Sequence, residues 1–125
     1  GQDVVIMASL IEKEVPDSND RKIVSGILWK RLKIGMPLQV DAVFPYITGR
    51  QKVLLEDLKI DSPYNTYLYK GLPPGPIANP GLDAIEAARN PKESPYFYYL
   101  SGKDGKTHFA KTFAEHLKNK EKYLK

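Results

Sequence analysis

Between Ile60 and Pro80 the chain reads IDSPYNTYLYKGLPPGPIANP, with five prolines and two glycines in 21 residues. Proline removes a backbone donor and clashes inside a helix, so this stretch holds neither a long helix nor a central strand. It is a long ordered loop or a flexible linker. Three tyrosines beside Leu and Ile supply too many anchors for a flexible spacer, and long loops in compact domains tend to carry function. The reading is therefore an ordered, functional loop. At 125 residues the chain has the length of one domain, enough to bury roughly two-thirds of the surface its unfolded form exposes.

Before the loop, Val4, Met7, Ala8, Ile11 and Val15 recur at helical spacing until Pro16 stops the pattern. PDSND then supplies a turn and an N-cap for a second amphipathic helix through Ile23, Val24, Ile27, Leu28, Arg31 and Leu32, which Gly35 ends. Met36 to Asp41 reads as extended, with Asp41 as the expected N-cap of a short helix through Tyr46. Another short helix is expected from Val53 to Leu58. After the loop come a helix from Pro80 to Asn90, with Pro80 in its first turn, and an aromatic strand from Tyr96 to Leu100. A turn at Lys103-Asp104-Gly105-Lys106 leads to a return strand, Thr107 to Ala110. A last helix runs from Phe113 to Leu124. Helices packed with one small antiparallel hairpin make a single α+β domain over residues 1–125.

There is no cysteine, which removes disulfides and thiolate chemistry without fixing a compartment. Net charge +4 is concentrated in the lysines of the last 25 residues. It suits a polyanionic neighbour such as nucleic acid, an anionic membrane surface or an acidic wall polymer, or simply a solvated helix face. No apolar run reaches the roughly 18 residues a membrane span requires, and no signal peptide is visible. Because GQDVVIMASL enters a helical pattern at once, the chain is expected to be cut from something longer.

The last turn of the first helix holds two glutamates, Glu12 and Glu14, in IEKEV. Residues two apart on a helix point about 200° apart, so the two carboxyls meet different surroundings. Glu14 stands beside Met7, Leu10 and Ile11, whereas Glu12 has Ala8 and Ser9 behind it. Apolar neighbours and the negative end of the helix dipole both raise a carboxyl pKa, favouring Glu14 as a general acid. Both residues also fit the plainer role of surface glutamates paired with lysines.

Other chemistry is thinly represented. His108 and His116 stand eight apart with no carboxylate at useful spacing, so no metal site is expected. His108 fits a surface or structural role, with a cleft position as its alternative. GLPPGP has too few backbone N–H groups to cradle phosphate. YFYYL beside lysines resembles a stacking platform, but no single-strand nucleic-acid signature accompanies it. Tyr64, Asn65, Thr66, Tyr67 and Asn79 suit carbohydrate, whose apolar ring faces and hydroxyl rims match tyrosine faces and amides. A loop packed by its own tyrosines explains the same composition.

The blocks MASLIEKEV, RLKIGMPLQVD, SPYNTYLYKGLPPGPIANPGLDAIEAARNP and PYFYYLSGKDGKTHFAKTFAEH, in that order, resemble the catalytic domain of the membrane-anchored endolytic murein transglycosylases, the YceG-like family. YNTY followed by GLPPGPIANPG is the most specific part. The resemblance implies a bacterial lytic transglycosylase that cleaves the glycan strands of peptidoglycan between N-acetylmuramic acid and N-acetylglucosamine. It needs no cofactor and leaves a 1,6-anhydro end, with one glutamate acting as acid and then as base. That glutamate lies in EKE and matches Glu14.

Carried over with it, Gln39, Asp41, Tyr64, Asn65, Thr66 and Tyr67 line a substrate cleft. Asn79 reaches substrate or caps the next helix, Glu12 is a further substrate-binding candidate or else scaffold with a solvent or loop contact, and Pro73, Pro74, Gly75 and Pro76 stiffen the loop. Implied partners are glycan strands and the cell-wall synthesis machinery, with no nucleic acid. Implied placement is outside the cytoplasm, on a membrane helix N-terminal to these residues, which makes the chain a C-terminal catalytic fragment. Two other readings stand beside it: a non-catalytic peptidoglycan-binding module, and a hydrolytic muramidase with Asp41 as second carboxylate.

Overall fold

Helix α1 (Gln2–Glu14) runs through the core of the computed structural model, which describes residues 1–125. All six residues from Ile6 to Ile11 are buried, so α1 is enclosed on every side and not only along one stripe. Helix α2 (Ser18–Ile34) and helix α4 (Leu82–Arg89) pack against it and against each other. Ala84, Ala87 and Ala88 give α4 a small-residue face that lets it approach α1 closely.

The boundaries of α2 follow from its caps. Asp17 accepts the Asp20 N–H at 3.0 Å, and Gly35 closes the helix with φ 76°. Gly26 sits where the chain at Lys92 crosses α2; a Cβ there would stand 2.0 Å from the Lys92 carbonyl oxygen. Lys92 N–H in turn donates to the Lys22 carbonyl at 3.0 Å, and Trp29 Nε1 donates to the Ala88 carbonyl at 3.0 Å.

Beyond α2, an extended segment buries Leu38 and Val40 and leads into helix α3 (Val43–Thr48). The expected cap at Asp41 is not formed: the N-cap is Ala42 with no side-chain bond, because the Asp41 carboxylate is turned to the Tyr67 hydroxyl. The short helix expected near Val53 is a 3-10 turn, Leu55–Lys59, held by Asp57, which accepts from the Leu54 N–H and pairs with Arg50.

The proline-rich stretch is an ordered loop, tied down at several points. Asn65 is fully buried and donates to the Leu58 and Ile60 carbonyls at 3.0 and 2.9 Å. Thr66 accepts the Val40 N–H at 2.9 Å, and Ser9 on α1 accepts the Ile77 N–H at 3.0 Å. Helix α4 begins two residues later than Pro80 predicts, with Gly81 as N-cap, because Glu12 takes the Gly81 N–H at 2.8 Å.

Strands β1 (Tyr98–Ser101) and β2 (Thr107–Ala110) pair antiparallel, with Tyr99 opposite Phe109. The first strand starts two residues after Tyr96, which is bonded instead to Ser94. Helix α5 (Phe113–Tyr123), capped by Thr112, packs on both strands, and its end is held by Lys103 N–H on the Tyr123 carbonyl at 2.8 Å. Five helices and one hairpin form a single α+β domain. No helix is long and apolar enough to cross a membrane.

Candidate active site

Residues from six parts of the chain, α2 with Arg31 among them, meet at the C-terminal end of α1 and enclose an open cleft of about 680 Å³. Glu14 comes from α1, Gln39 and Asp41 from the extended segment, and Tyr67 from the loop. Tyr98 and Tyr99 come from β1, and Phe113, His116 and Lys120 from α5. Glu14 is the last helical residue before Val15 turns the chain into extended conformation, which leaves its carboxyl at the helix end facing the cleft.

The Tyr99 hydroxyl donates to Glu14 Oε1 at 2.6 Å. Burial pushes the Glu14 carboxyl up to about 7, and the negative charge of Asp41 adds to the rise. The Tyr99 hydroxyl, the Ala42 N–H and the Arg31 guanidinium oppose it without cancelling it. A carboxyl in that range is protonated in about half of the molecules at neutral pH, so it can give a proton to substrate and take one back.

Arg31 frames the cleft from beneath. It is buried on α2, its Nη1 donates to the Leu38 carbonyl at 2.7 Å, and its Nε and Nη2 donate to the Phe97 carbonyl at 3.0 and 2.7 Å. One guanidinium thus ties the segment bearing Gln39 and Asp41 to the strand bearing Tyr99. Its planar fork spans both attachment points, which a lysine could not do. No carboxylate pairs with it, and its charge lies against the rings of Tyr98 and Tyr99 at 5.4 and 6.0 Å.

Asp41 accepts a hydrogen bond from Tyr67. Burial and the neighbouring Asp41 raise the Tyr67 phenol far above its ordinary range, so it stays a neutral donor. Gln39 has φ 53°, a left-handed conformation uncommon for a residue with a side chain, and its N–H is held by the Thr66 carbonyl at 3.2 Å.

Of the residues singled out in the sequence, Glu14, Gln39, Asp41 and Tyr67 come together at the cleft. Tyr64 packs against Tyr46 with ring centroids 4.8 Å apart and the rings tilted by 39°, outside the cleft lining. Asn65 and Thr66 are buried and hold the loop in place through the bonds described above. Asn79 is exposed and caps nothing. Glu12 also stands outside the cleft: it accepts the Gly81 N–H at 2.8 Å and pairs with Arg21 at 2.7 Å. That backbone bond, ahead of Arg21, holds its carboxyl below the usual range, the reverse of Glu14. His108 is likewise structural, stacked on Tyr123 and bonded to Asp104 at 2.8 Å.

Sequence reasoning missed Arg31, Tyr99, His116 and Lys120 as cleft residues. A signal existed for Arg31, a cation inside the apolar stripe of α2. Nothing local marks the other three, because their roles depend on how the hairpin and α5 dock.

A family model described as the YceG-like family matches residues 1–122. The chain is 48% identical over 123 residues to a Bacillus subtilis protein named endolytic murein transglycosylase, covering 97% of this chain and 34% of that protein. A Streptococcus pneumoniae protein of the same name is 38% identical over 125 residues, covering 94% of this chain and 23% of that one. The crystal structure of a yceG-like protein from Listeria monocytogenes superposes with TM-score 0.87 at 45% identity, over 92% of this chain and 38% of that one. The chain therefore spans about a third or less of the length of these curated relatives.

Proposed function

The chain belongs to the YceG-like family, and on that premise we propose that it carries the catalytic site of an endolytic lytic transglycosylase acting on peptidoglycan glycan strands. The observation that carries this reading is Glu14, a carboxyl raised to about 7 by burial, in an open cleft large enough for sugar rings.

In the proposed reaction Glu14 gives its proton to the oxygen linking N-acetylmuramic acid to the next N-acetylglucosamine. The bond from muramic acid C1 to that oxygen breaks, and the C1 centre develops oxocarbenium-like charge. The muramic acid 6-hydroxyl then closes onto C1, and Glu14, now a carboxylate, takes the hydroxyl proton. The product ends in a 1,6-anhydro ring, and the enzyme returns to its starting protonation state. One carboxyl serves both steps because the nucleophile is held within the substrate, so no second carboxylate across the bond is required.

The remaining cleft groups fit support roles. Asp41, on the same cleft, supplies negative charge toward the developing cation and raises the Glu14 pKa. Gln39 offers an amide for sugar hydroxyls. The relatives' name supports murein as the substrate and with it a place of action outside the cytoplasm; a membrane anchor and contact with the machinery that makes the wall belong to the same proposal.

Asp41 also fits the role of base in a hydrolytic muramidase, since it lines the cleft, although one of its oxygens is engaged by Tyr67. Mass spectrometry of peptidoglycan digested by the full-length protein tests both. Anhydro-muramic ends that vanish in Glu14→Gln and persist in Glu12→Gln support the transglycosylase. Reducing ends point to hydrolysis, and no cleavage to a binding module.

A further inference from the structure

We propose that the α5 wall of the cleft is a subsite for the short acidic peptide carried by the muramic acid of the glycan, with Lys120 and His116 Nε2 as donors to its carboxylates. The inference rests on peptidoglycan as the substrate and adds which part of it the α5 wall holds.

Phe113, His116, Lys120 and Leu124 follow one another at spacings of three, four and four, so they share one face of α5, and all four line the cleft. No residue of α5 is buried. Phe113 is 53% exposed and Leu124, just past the helix end, 40%, so these two apolar side chains of the cleft are only partly covered by protein. Apolar surface alternating with hydrogen-bond donors, one of them charged, on a single face matches a ligand that alternates methyl groups with carboxylates.

The donors of this wall, Lys120 and His116, have no acidic partner in the protein. Lys120 forms no ion pair, and the two nearby acids of α5 are engaged: Glu121 pairs with Lys125 at 2.7 Å and Glu115 accepts the Lys111 N–H at 3.3 Å. On the hairpin, Asp104 is taken by His108. Beneath, Arg31 is spent on backbone carbonyls and brings charge without an anion. Glu14 and Asp41 complete the ionisable lining, and each accepts from a tyrosine.

His116 adds a directional donor. Its ring stacks on Tyr98 with centroids 5.1 Å apart, and its Nδ1 is buried without a partner. An N–H at the buried Nδ1 would have no acceptor, which assigns the proton to Nε2. Nε2 forms no bond within the protein and is not shut away, which leaves it to meet ligand. Burial, Lys120 and Arg31 hold His116 below the usual imidazole range, so it acts as a neutral donor and Lys120 as the charge.

The test compares the full-length protein on glycan strands bearing their peptides and on strands stripped by an amidase. Wild type is expected to favour the peptide-bearing strands by about tenfold or more in kcat/KM, the worth of one charge-assisted bond. Lys120→Ala combined with His116→Gln should bring that ratio toward one through a higher KM, and Lys120→Arg should keep it. Titration calorimetry with a disaccharide-peptide and the peptide-free disaccharide should give the same preference, independently of cleavage. A preference absent from wild type, or unchanged in the double variant or in the exposed single variant Lys120→Glu, overturns the subsite. Loss of anhydro products with the calorimetric preference intact overturns the transglycosylase reading and leaves the subsite supported.

Discussion

The Tyr99 hydroxyl reaches Glu14 Oε1 at 2.6 Å across 85 residues of sequence, joining the end of the first helix to the hairpin that closes the cleft. Because that bond favours the charged carboxyl, it moderates a pKa that burial drives upward.

The proposed acid must be protonated to start the reaction, so kcat/KM should fall as pH rises through about 7. Tyr99→Phe removes an interaction that lowers the Glu14 pKa, and the fall should move to higher pH. Asp41→Asn removes a charge that raises it, and the fall should move to lower pH. Opposite displacements in pH–rate profiles of the two variants are the expected result. Glu14→Gln should lose about 10²- to 10⁴-fold below pH 7 and should show no fall in kcat/KM through that pH.

A carboxyl whose folded pKa is raised binds its proton more tightly in the native state than in the unfolded one. Its contribution is therefore complete below the ordinary glutamate value of 4.5 and is lost as pH rises through about 7. The shift corresponds to about 3 kcal/mol once Glu14 is fully ionised. Glu14→Gln, which carries no charge to desolvate, should be more stable than wild type at pH 8 by up to that amount and nearly equal to it at pH 4. Urea denaturation at the two pH values checks this.

Glu12 is predicted to matter for stability. Glu12→Ala leaves the Gly81 N–H without its acceptor and takes from Arg21 one of its two carboxylate partners, Asp83 remaining, at about 1–3 kcal/mol. Thermal unfolding should show a lower Tm, while the pH profile of the folded fraction stays where the wild type has it.

Gln39 combines a cleft position with φ 53°. Gln39→Gly relieves a left-handed backbone that disfavours a side chain, and should stabilise the domain by about 1 kcal/mol. It also takes an amide from the cleft, so KM should rise as Tm rises. Gln39→Ala, which keeps the strain, should raise KM without the gain in Tm.

Much of this molecule is written in local pattern. The 3.6-residue recurrence from Val4 to Val15, the Asp17 and Gly35 caps, and the turn at Gly105 depend on each residue and its near neighbours, so the helices and hairpin are predictable one at a time. Helix geometry also separates Glu12 from Glu14, because the angle between them is a property of the helix alone.

What lies outside that reach is set by contacts between distant segments. Asp41 has the chemistry of an N-cap, and only the arrival of Tyr67, 26 residues on, turns its carboxylate elsewhere. Asn65 and Thr66 have the chemistry of sugar ligands, but the loop folds so that its own carbonyls and the Val40 N–H consume them. Arg31, Tyr99, His116 and Lys120 become cleft residues only when α2, the hairpin and α5 dock around the end of α1. The sequence by itself determined the elements and which glutamate stands apart. The tertiary structure decided its environment, since desolvation and hydrogen bonding at Glu14 come from groups that only packing brings to it.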